Sequence, residues 1–366
     1  MRAAAVFPRE RRLAVVEDFP EPRITGPAQV KLRILSVGVC GTDREIASFV
    51  YGTPPEGYEY LVLGHEAVGE VLEAGPEAAD FAPGDLAVPV VRLPCPDPDC
   101  LACRAGRADH CTTGRYREHG IMRLHGFMTE YIVAEAGNLA RVPRALGRDA
   151  VLVEPMTIAE KAFLHADHIA ARLPWQSRKR AAVVGAGPVG LLGAMALRLR
   201  GYEVTVYSLD RAPNPAAGIV AALGGRYIST RDLPADRLAS EAGPLDLVYE
   251  AAGAPVTAFE VLKALGPNGI FVLTGVPGRH GAVDFDTHGI MLNMVMKNQC
   301  LLGTVNAGRD AFTRAVADLQ EIQTRWPGLL PRVVTGRHSL DDFAEPVLRS
   351  TGIKNVVELH PVESGN

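Results

Sequence analysis

The chain has 366 residues, of which 47% are hydrophobic and 22% charged, as in ordinary globular proteins. At this length we expect two domains, each with its own core. The net charge of −4 and the pI near 6.2 give no electrostatic reason to expect nucleic acid as a partner. No apolar run approaches 18 residues and the first residues do not resemble a secretory signal. We therefore expect no membrane span and predict a cytoplasmic protein.

Short strand-like runs separated by Gly, Pro and Asp turns dominate residues 1 to about 90, and no helical periodicity is visible there. Cys40, which opens a C-G-T-D segment, and His65, which is followed by Glu66, stand at the ends of such runs. Glu154 lies further along the chain, just before a proline. Thiolate, imidazole and carboxylate groups are all ligands that zinc accepts. This set predicts a catalytic zinc site in which Asp43 orients the imidazole.

Four of the six cysteines fall in one Pro- and Asp-rich loop with the spacing C-x4-C-x2-C-x7-C. They are Cys95, Cys100, Cys103 and Cys111. Four thiolates can close a tetrahedral zinc site with no open position, which is typical of structural zinc. The alternative is a reduced loop with unbound thiols, but four exposed thiols would be susceptible to oxidation and would not stabilise the structure.

A nucleotide-binding pattern begins with the apolar strand 181–184. The segment G-x-G-x-x-G follows at Gly185, Gly187 and Gly190, and a helix over 191–200 and a second strand over 203–209 come next. In this order the glycines permit a tight turn and close approach of a pyrophosphate to the helix N-terminus. Asp210 is placed to meet the ribose hydroxyls of NAD, whereas Arg211 could bind the 2′-phosphate of NADP. Both cofactors stay open.

The remaining pattern predicts an α/β class with a doubly wound parallel sheet. Further strands are expected at 245–250, 269–276 and 300–305, and helices at 157–171, with Thr157 as a possible cap, and at about 310–325. A last strand at 355–359 is expected to return to the first domain.

Together these motifs resemble the zinc-dependent medium-chain dehydrogenase family over essentially the whole chain. The segments 38–46 and 154–161 resemble its glucose 1-dehydrogenase branch, in which a glutamate replaces the third cysteine ligand of classical alcohol dehydrogenases. The resemblance implies a GroES-like catalytic domain over 1–160, with the structural zinc lobe at about 94–112. It also implies a Rossmann domain over 161–308 and a return of 309–366 to the catalytic domain.

The resemblance also implies roles for individual residues. Cys40, His65 and either Glu66 or Glu154 would hold the catalytic zinc, and Thr42 would pass on the substrate proton. Glu118 would contact sugar hydroxyls and, with Glu154, fix the sugar ring, and Asn306 would lie near the nicotinamide and the substrate. With Thr42, these residues form the implied substrate-binding set. The residues implied in cofactor binding are Gly185, Gly187, Pro188, Val189, Gly190, Ser208, Asp210, Arg211, Thr274, Gly275, Val276, Thr304, Val305 and Asn306.

The implied reaction is oxidation of the C1 hydroxyl of an aldose, D-glucose first, to the lactone with hydride transfer to NAD or NADP. Some family members carry a sugar-binding Asn where this chain has Val91 and an Asp where it has Ile158, and some carry paired arginines where only Arg211 stands. A polyol, secondary-alcohol or amino-alcohol dehydrogenase therefore stays open. A non-catalytic zinc- and nucleotide-binding protein is a remote alternative. By family analogy we expect a homo-oligomer, a dimer or a tetramer.

Overall fold

The structure, a computed structural model, describes residues 1–175, 177–278, 282, 284–349 and 351–360. Its strands are β1 (Ala3–Phe7), β2 (Arg12–Val16), β3 (Gln29–Val39), β4 (Leu61–Val62), β5 (Glu66–Ala74), β6 (Leu86–Pro89), β7 (Arg92–Leu93), β8 (Arg117–His119), β9 (Arg123–Leu124), β10 (Tyr131–Glu135), β11 (Leu139–Val142), β12 (Arg180–Val184), β13 (Glu203–Ser208), β14 (Arg226–Ser229), β15 (Leu245–Glu250), β16 (Leu265–Leu273), β17 (Cys300–Gly303), β18 (Val334–Ser339) and β19 (Lys354–Glu358). Its α-helices are α1 (Gly41–Ala47), α2 (Leu101–Arg104), α3 (Val153–Ala170), α4 (Pro188–Leu199), α5 (Pro215–Ala222), α6 (Leu238–Ala242), α7 (Pro255–Val261), α8 (Thr287–Met296), α9 (Arg309–Arg325) and α10 (Ala344–Leu348).

Within the described residues the chain forms two compact units. The first comprises Met1–Thr157, Asn306–Gln320 and Val334–Asn366, and the second comprises Ile158–Val305 and Glu321–Val333. No described helix combines the length and the apolar character that crossing a lipid bilayer requires.

The first unit is built on a sheet in the order β11-β6-β5-β3-β19-β18, with β10 also paired to β3. Strand β3 alternates between partly exposed and buried residues in its first half, while Leu35 to Val39 are all buried. The alternation lets one face pack on the core around Leu32 and Ile34. The second half, covered on both faces, carries the chain to Cys40.

The second unit contains a parallel sheet in the order β14-β13-β12-β15-β16-β17. Strand β12 is apolar and buried from Ala181 to Val184, because helices cover both faces of a parallel sheet of this kind. The strand order reverses at β12, whose neighbours are β13 and β15, and ligands bind at the carboxyl edge of such a reversal. The predicted α/β class, with a β-rich domain and a doubly wound parallel sheet, is confirmed.

One helix is not predicted by the sequence, and the predicted start of another is wrong. Residues 1–90 contain helix α1, which has only seven residues and is too short to show periodicity in the sequence. Helix α3 begins at Val153, so Thr157 is not its cap but lies inside it, where its hydroxyl donates to the carbonyl of Glu154 at 2.6 Å. Pro155 is tolerated because an N–H in the first turn has no helical acceptor.

Candidate active site

Cys40, Asp43 and His65 come together in the first unit, where one ligand atom from each lies within 4.8 Å of the other two. Asp43 is fully buried, and its carboxylate oxygens accept hydrogen bonds from the backbone N–H groups of Cys40, at 2.9 Å, and Gly64, at 3.2 Å. Its Oδ1 also lies 3.5 Å from Nδ1 of His65. The carboxylate therefore ties the two predicted zinc ligands to each other.

The local backbone explains why these side chains converge. Cys40 is the extended residue before α1, and its Sγ accepts a hydrogen bond from the backbone N–H of Thr42 at 3.4 Å. Asp43 reaches back to the N–H of Cys40, which completes a capping box. Gly64 has a φ of +87°, and a Cβ there would lie only 2.6 Å from a methyl group of Val37, so this turn before His65 requires glycine.

The protonation of this group indicates the kind of ion that suits it. Burial alone would lower the pKa of His65, but the carboxylate of Asp43 and the thiol of Cys40 raise it well above its ordinary value. Burial likewise works to raise the pKa of Asp43, whereas the imidazole of His65 lowers it. The site thus favours a positive charge among electron-pair donors, and a divalent cation bound to deprotonated ligands would supply that charge.

Glu66 and Glu154 are not members of this three-residue group. The carboxylate of Glu66 is paired with the ammonium group of Lys354, which also donates to the carbonyl of Val39 at 3.0 Å. Burial and, second, the negative charge of Glu66 raise the pKa of Glu154 to about 8, while the imidazole of His65 acts in the opposite direction. Of the two carboxylates, Glu66 therefore already has a cationic partner.

Glu118 and Asn306, two of the residues implied in substrate binding, also meet in the first unit. The side-chain amide of Asn306 donates to Oε1 of Glu118 at 2.7 Å, and Nε of Arg92 donates to the same oxygen at 2.8 Å. Asn306 has a φ of +60°, a left-handed conformation that asparagine tolerates better than most residues. The half-buried Thr42 lies in the first turn of α1, two residues after Cys40.

The four lobe cysteines form the second potential metal group, with their sulfur atoms all within 4.8 Å of one another. Backbone hydrogen bonds from Cys103 and Thr112 lower the pKa of Cys100 to about 6, which favours its thiolate. Burial raises the pKa of Cys103 to about 12. Four sulfur atoms with no other ligand type among them suit a tetrahedral zinc ion that has no open position.

The glycine-rich turn of the second unit joins β12 to α4. Gly185 has a φ of +102°, and a Cβ there would lie 3.0 Å from that of Ala252. A Cβ on Gly190 would collide with the backbone of Gly185, whereas the space beside Gly187, the residue before α4, is open. The turn therefore leaves room for a ligand at the N-terminus of α4, which Pro188 and Val189 begin, and that end of a helix attracts anions.

An acidic and a basic residue follow the end of β13. Strand β13 ends at Ser208, and Asp210 and Arg211 follow as exposed residues. The carbonyl of Asp210 accepts a hydrogen bond from the hydroxyl of Tyr227 at 2.9 Å, and Arg211 is paired with Asp232 at 2.6 Å. The strand end thus offers groups for either NAD or NADP.

Two further segments implied in cofactor binding lie at the carboxyl ends of β16 and β17. The carboxylate of Glu250 accepts a hydrogen bond from the N–H of Gly275 at 3.2 Å, and its carbonyl accepts one from the hydroxyl of Thr274 at 2.7 Å. The N–H of Thr304 donates to the carbonyl of Leu273 at 3.0 Å. These bonds hold both segments, and the exposed Val276 and Val305, at the edge where the glycine turn also lies.

Four charged residues that organise these sites are not identifiable from the sequence: Arg92, Lys161, Glu250 and Lys354. Lys161 and Lys354 are buried, and Lys161 donates to the carbonyl of Val305 at 3.0 Å. In the sequence, each appears only as a charged residue within an apolar segment. This pattern does not indicate which distant residue the charged group will contact.

Comparison with known proteins gives consistent matches. The model of the alcohol dehydrogenase GroES-like domain matches residues 26–144, and that of the glucose dehydrogenase C-terminus matches residues 147–359. The chain is 39% identical to glucose 1-dehydrogenase of Methanocella arvoryzae over 94% of this chain and 95% of the relative. It is 41% identical to glucose 1-dehydrogenase of Thermoproteus tenax over the same shares.

A solved structure resembles the whole chain. It is that of Haloferax mediterranei glucose dehydrogenase in complex with NADP, Zn and gluconolactone, with a TM-score of 0.89 and 33% sequence identity. The match covers 99% of this chain and 100% of the other.

Proposed function

The chain is an oxidoreductase of the zinc-dependent medium-chain dehydrogenase family, in its glucose dehydrogenase branch, and on that premise we propose that it oxidises D-glucose at C1. The C1 hydroxyl loses a proton and the C1 carbon loses a hydride, which gives the lactone and reduced NAD or NADP. The Haloferax relative was solved with NADP, zinc and gluconolactone, which are a cofactor, a metal and a product of this type.

One observation carries the proposal: the half-buried thiol of Cys40 lies together with the buried imidazole of His65 and the buried carboxylate of Asp43, in a chain that also has a glycine turn before a helix. The first feature suits zinc and the second suits a dinucleotide. The four-cysteine lobe, with Cys95, Cys100, Cys103 and Cys111 together, suits a second, structural zinc.

We assign Cys40 and His65 as ligands of the catalytic zinc and Glu154 as the third ligand in the resting site. Nδ1 of His65 faces Asp43, which leaves Nε2 for the metal and makes Asp43 the residue that orients the ring. Glu154 is preferred to Glu66 because Lys354 already neutralises Glu66. Deprotonation of Glu154, whose pKa burial holds near 8, would accompany metal binding.

When bound, zinc would act as a Lewis acid on the C1 hydroxyl and the nicotinamide would accept the hydride. The chain's own residues would bind and orient the sugar. Glu118 and Asn306 would hold ring hydroxyls, and Thr42 would take the C1 hydroxyl proton towards solvent. The residues around Gly187, Asp210, Thr274 and Thr304 would bind the cofactor.

The test is a spectrophotometric screen of aldoses and polyols with NAD and with NADP, before and after metal chelation. We expect chelator-sensitive formation of reduced cofactor with D-glucose. Cys40→Ala should abolish it, because a two-ligand site would not retain zinc. Full turnover by Cys40→Ala would contradict the mechanism.

A polyol or secondary-alcohol dehydrogenase is the second candidate because Val91 is a buried apolar residue where some relatives offer a sugar-binding amide. Activity on sorbitol with none on aldoses would favour it. A chain with zinc but no turnover on either class would favour the non-catalytic alternative.

We also propose a homo-oligomer, a dimer or tetramer. Helix α8 exposes four large apolar side chains, those of Met291, Leu292, Val295 and Met296, and β17 is an edge strand of the parallel sheet. Surfaces of this kind favour association between chains. A cytoplasmic location is supported by the six cysteines, none of which forms a disulfide. Light scattering tests the first proposal, and cell fractionation tests the second.

A further inference from the structure

We propose that Arg92 is a positioning residue that presents Glu118 to the substrate and links this contact to the four-cysteine lobe. The inference deepens the function proposed above and rests on it. It gives the lobe a role in sugar recognition in addition to its contribution to stability.

The pairing of Arg92 with Glu118 is fixed by the backbone. Strands β7 and β8 are antiparallel, and these two residues stand directly opposite each other in the register. Opposite side chains project from the same face of a sheet, which brings them within contact distance. Both are buried, and Nε of Arg92 lies 2.8 Å from Oε1 of Glu118.

The contacts of Glu118 are divided unequally between its two oxygens. Oε1 accepts hydrogen bonds from Arg92, at 2.8 Å, and from Asn306, at 2.7 Å. Oε2 accepts none from the part of the chain that the structure describes. A carboxylate held through one oxygen by two donors has a fixed orientation. Oε2 is therefore the atom that we assign as the acceptor of a sugar hydroxyl.

Arg92 is itself held by the lobe and by the residues that follow it. Its guanidinium carbon lies 3.8 Å from the ring centroid of Tyr116, a stacking distance, and its Nη1 donates to the carbonyl of Asp109 at 3.4 Å. Asp109 stands between the third and fourth lobe cysteines. Its carboxylate accepts two hydrogen bonds from Arg107, at 3.1 and 2.9 Å, which fix this part of the lobe.

The lobe also reaches the segment that carries the second sugar contact. Arg107 lies 3.4 Å from the carboxylate of Asp310, four residues after Asn306. A Cβ on Gly308 would lie 3.0 Å from a carboxylate oxygen of Asp109, so the two segments are closely packed. The same lobe therefore supports both Glu118 and Asn306.

Arginine suits this position for a reason that lysine does not share. A guanidinium group is planar, so it can stack on Tyr116 while its Nε–H points in the plane at Glu118. Lysine would keep the positive charge but not this direction. Arg92→Lys therefore separates charge from positioning.

The experiment measures how well the enzyme recognises individual hydroxyl groups. The kcat and KM values for D-glucose and for its 2-, 3-, 4- and 6-deoxy analogues are compared for wild type, Arg92→Met, Arg92→Lys and Tyr116→Leu. Arg117→Met is the matched control, because Arg117 is an exposed arginine next to Glu118 on the same strand. The KM for NADP and the zinc content per chain are measured in parallel.

We expect wild type to discriminate about tenfold or more against the one deoxy sugar that lacks the hydroxyl bound by Glu118. Arg92→Met should reduce that ratio to about threefold or less, mainly through a higher KM for D-glucose. The KM for NADP and a content of two zinc ions should not change. Arg92→Lys and Tyr116→Leu should retain part of the discrimination, and Arg117→Met should retain all of it.

Other results would overturn the inference. Unchanged discrimination in Arg92→Met would show that Glu118 does not depend on Arg92. An equal fall in kcat/KM for every sugar, together with a changed KM for NADP or a loss of zinc, would show that Arg92 has only a general structural role. If Arg92→Met does not fold, the same discrimination ratios are measured for Arg92→Lys and Tyr116→Leu. A partial loss of discrimination in these variants would support the inference, and full discrimination would contradict it.

Failure of the proposed function would be visible in wild type rather than in the variants. A wild-type chain that prefers a polyol over glucose would be tested with that polyol and its deoxy analogues. One that oxidises neither class would contradict the function and, with it, this inference.

Discussion

The ammonium group of Lys354, on the last strand, is paired with the carboxylate of Glu66, on β5, and both side chains are almost fully buried. Gly38 of β3 makes room for the pair, because a Cβ there would lie 2.9 Å from Cε of Lys354 and would collide with the carboxylate of Glu66. The C-terminal strand thus neutralises a carboxylate adjacent to the proposed zinc ligand His65.

Lys354→Met should destabilise the chain strongly. Removing one partner of a buried ion pair leaves an uncompensated charge, here that of Glu66, and costs about 3 to 5 kcal/mol. The measurement is the free energy of unfolding in urea for the zinc-loaded protein. Because Lys263 is exposed, Lys263→Met is the control and should change this free energy by less than about 0.5 kcal/mol.

A double variant separates charge from packing in this prediction. Adding Glu66→Gln to Lys354→Met removes the orphaned charge and should restore part of the lost stability. A double variant less stable than Lys354→Met would contradict the argument that the uncompensated carboxylate causes the loss.

Loss of a lobe cysteine should remove one zinc ion without emptying the catalytic site. Cys100→Ser replaces a thiolate, the ligand that zinc prefers in closed sites, with a much weaker donor. We expect two zinc ions per wild-type chain, one in Cys100→Ser and two in Cys300→Ser, as measured by elemental analysis. Cys300 lies on β17 and outside both cysteine-containing metal groups, so it is the matched control. Two zinc ions in Cys100→Ser would contradict a structural zinc in the lobe.

The sequence identified the features whose cause is local. The four lobe cysteines lie within 17 positions of one another, from Cys95 to Cys111, so their spacing alone indicates a common site. The G-x-G-x-x-G turn can also be identified from the sequence, because the strand before it and the helix after it are adjacent in the chain. The ligand chemistry of zinc and then the resemblance connected Cys40 with His65, and the structure places these two side chains together with Asp43.

Features that depend on distant contacts could not be predicted. Nothing near Lys354 in the sequence indicates that its partner is Glu66, because β19 reaches β5 only through the intervening β3. The sequence does not predict helix α1, because its cap is a cysteine and not one of the common capping residues. The predicted start of α3 is too late, because Pro155 indicates a boundary in the sequence but lies within the first turn of the helix.

Cofactor choice should depend on Arg211. Its ion pair with Asp232 is exposed and contributes at most about 1 kcal/mol, so a 2′-phosphate can compete for the guanidinium group. A charged hydrogen bond to phosphate contributes about 1.5 to 3 kcal/mol. Arg211→Ala should therefore lower kcat/KM for NADP by about tenfold or more and change that for NAD little. Arg237→Ala, at another exposed arginine of the same unit, should leave both values unchanged. An unchanged NADP to NAD ratio in Arg211→Ala would show that Arg211 does not bind the phosphate.

The stability of the chain should fall in mild acid because of His119. Burial lowers the pKa of this ring to about 4, and its Nδ1 lies 2.9 Å from the carbonyl of His125. In the unfolded chain the pKa returns to about 6.5. Between these values the unfolded state binds more protons than the native state, so this contribution is complete above about pH 6.5 and is lost as the pH falls towards 4. The loss should reach about 3 kcal/mol at most.

His119→Gln should remove this part of the pH dependence, since glutamine stays neutral and can still donate to the carbonyl of His125. The measurement is the free energy of unfolding in urea at pH 4.5, 5.5 and 7 for wild type, His119→Gln and His288→Gln. His288 is an exposed histidine, and its variant should follow the wild-type slope. Parallel slopes for wild type and His119→Gln would mean that the ring is protonated in the native state at little cost, which would contradict its lowered pKa.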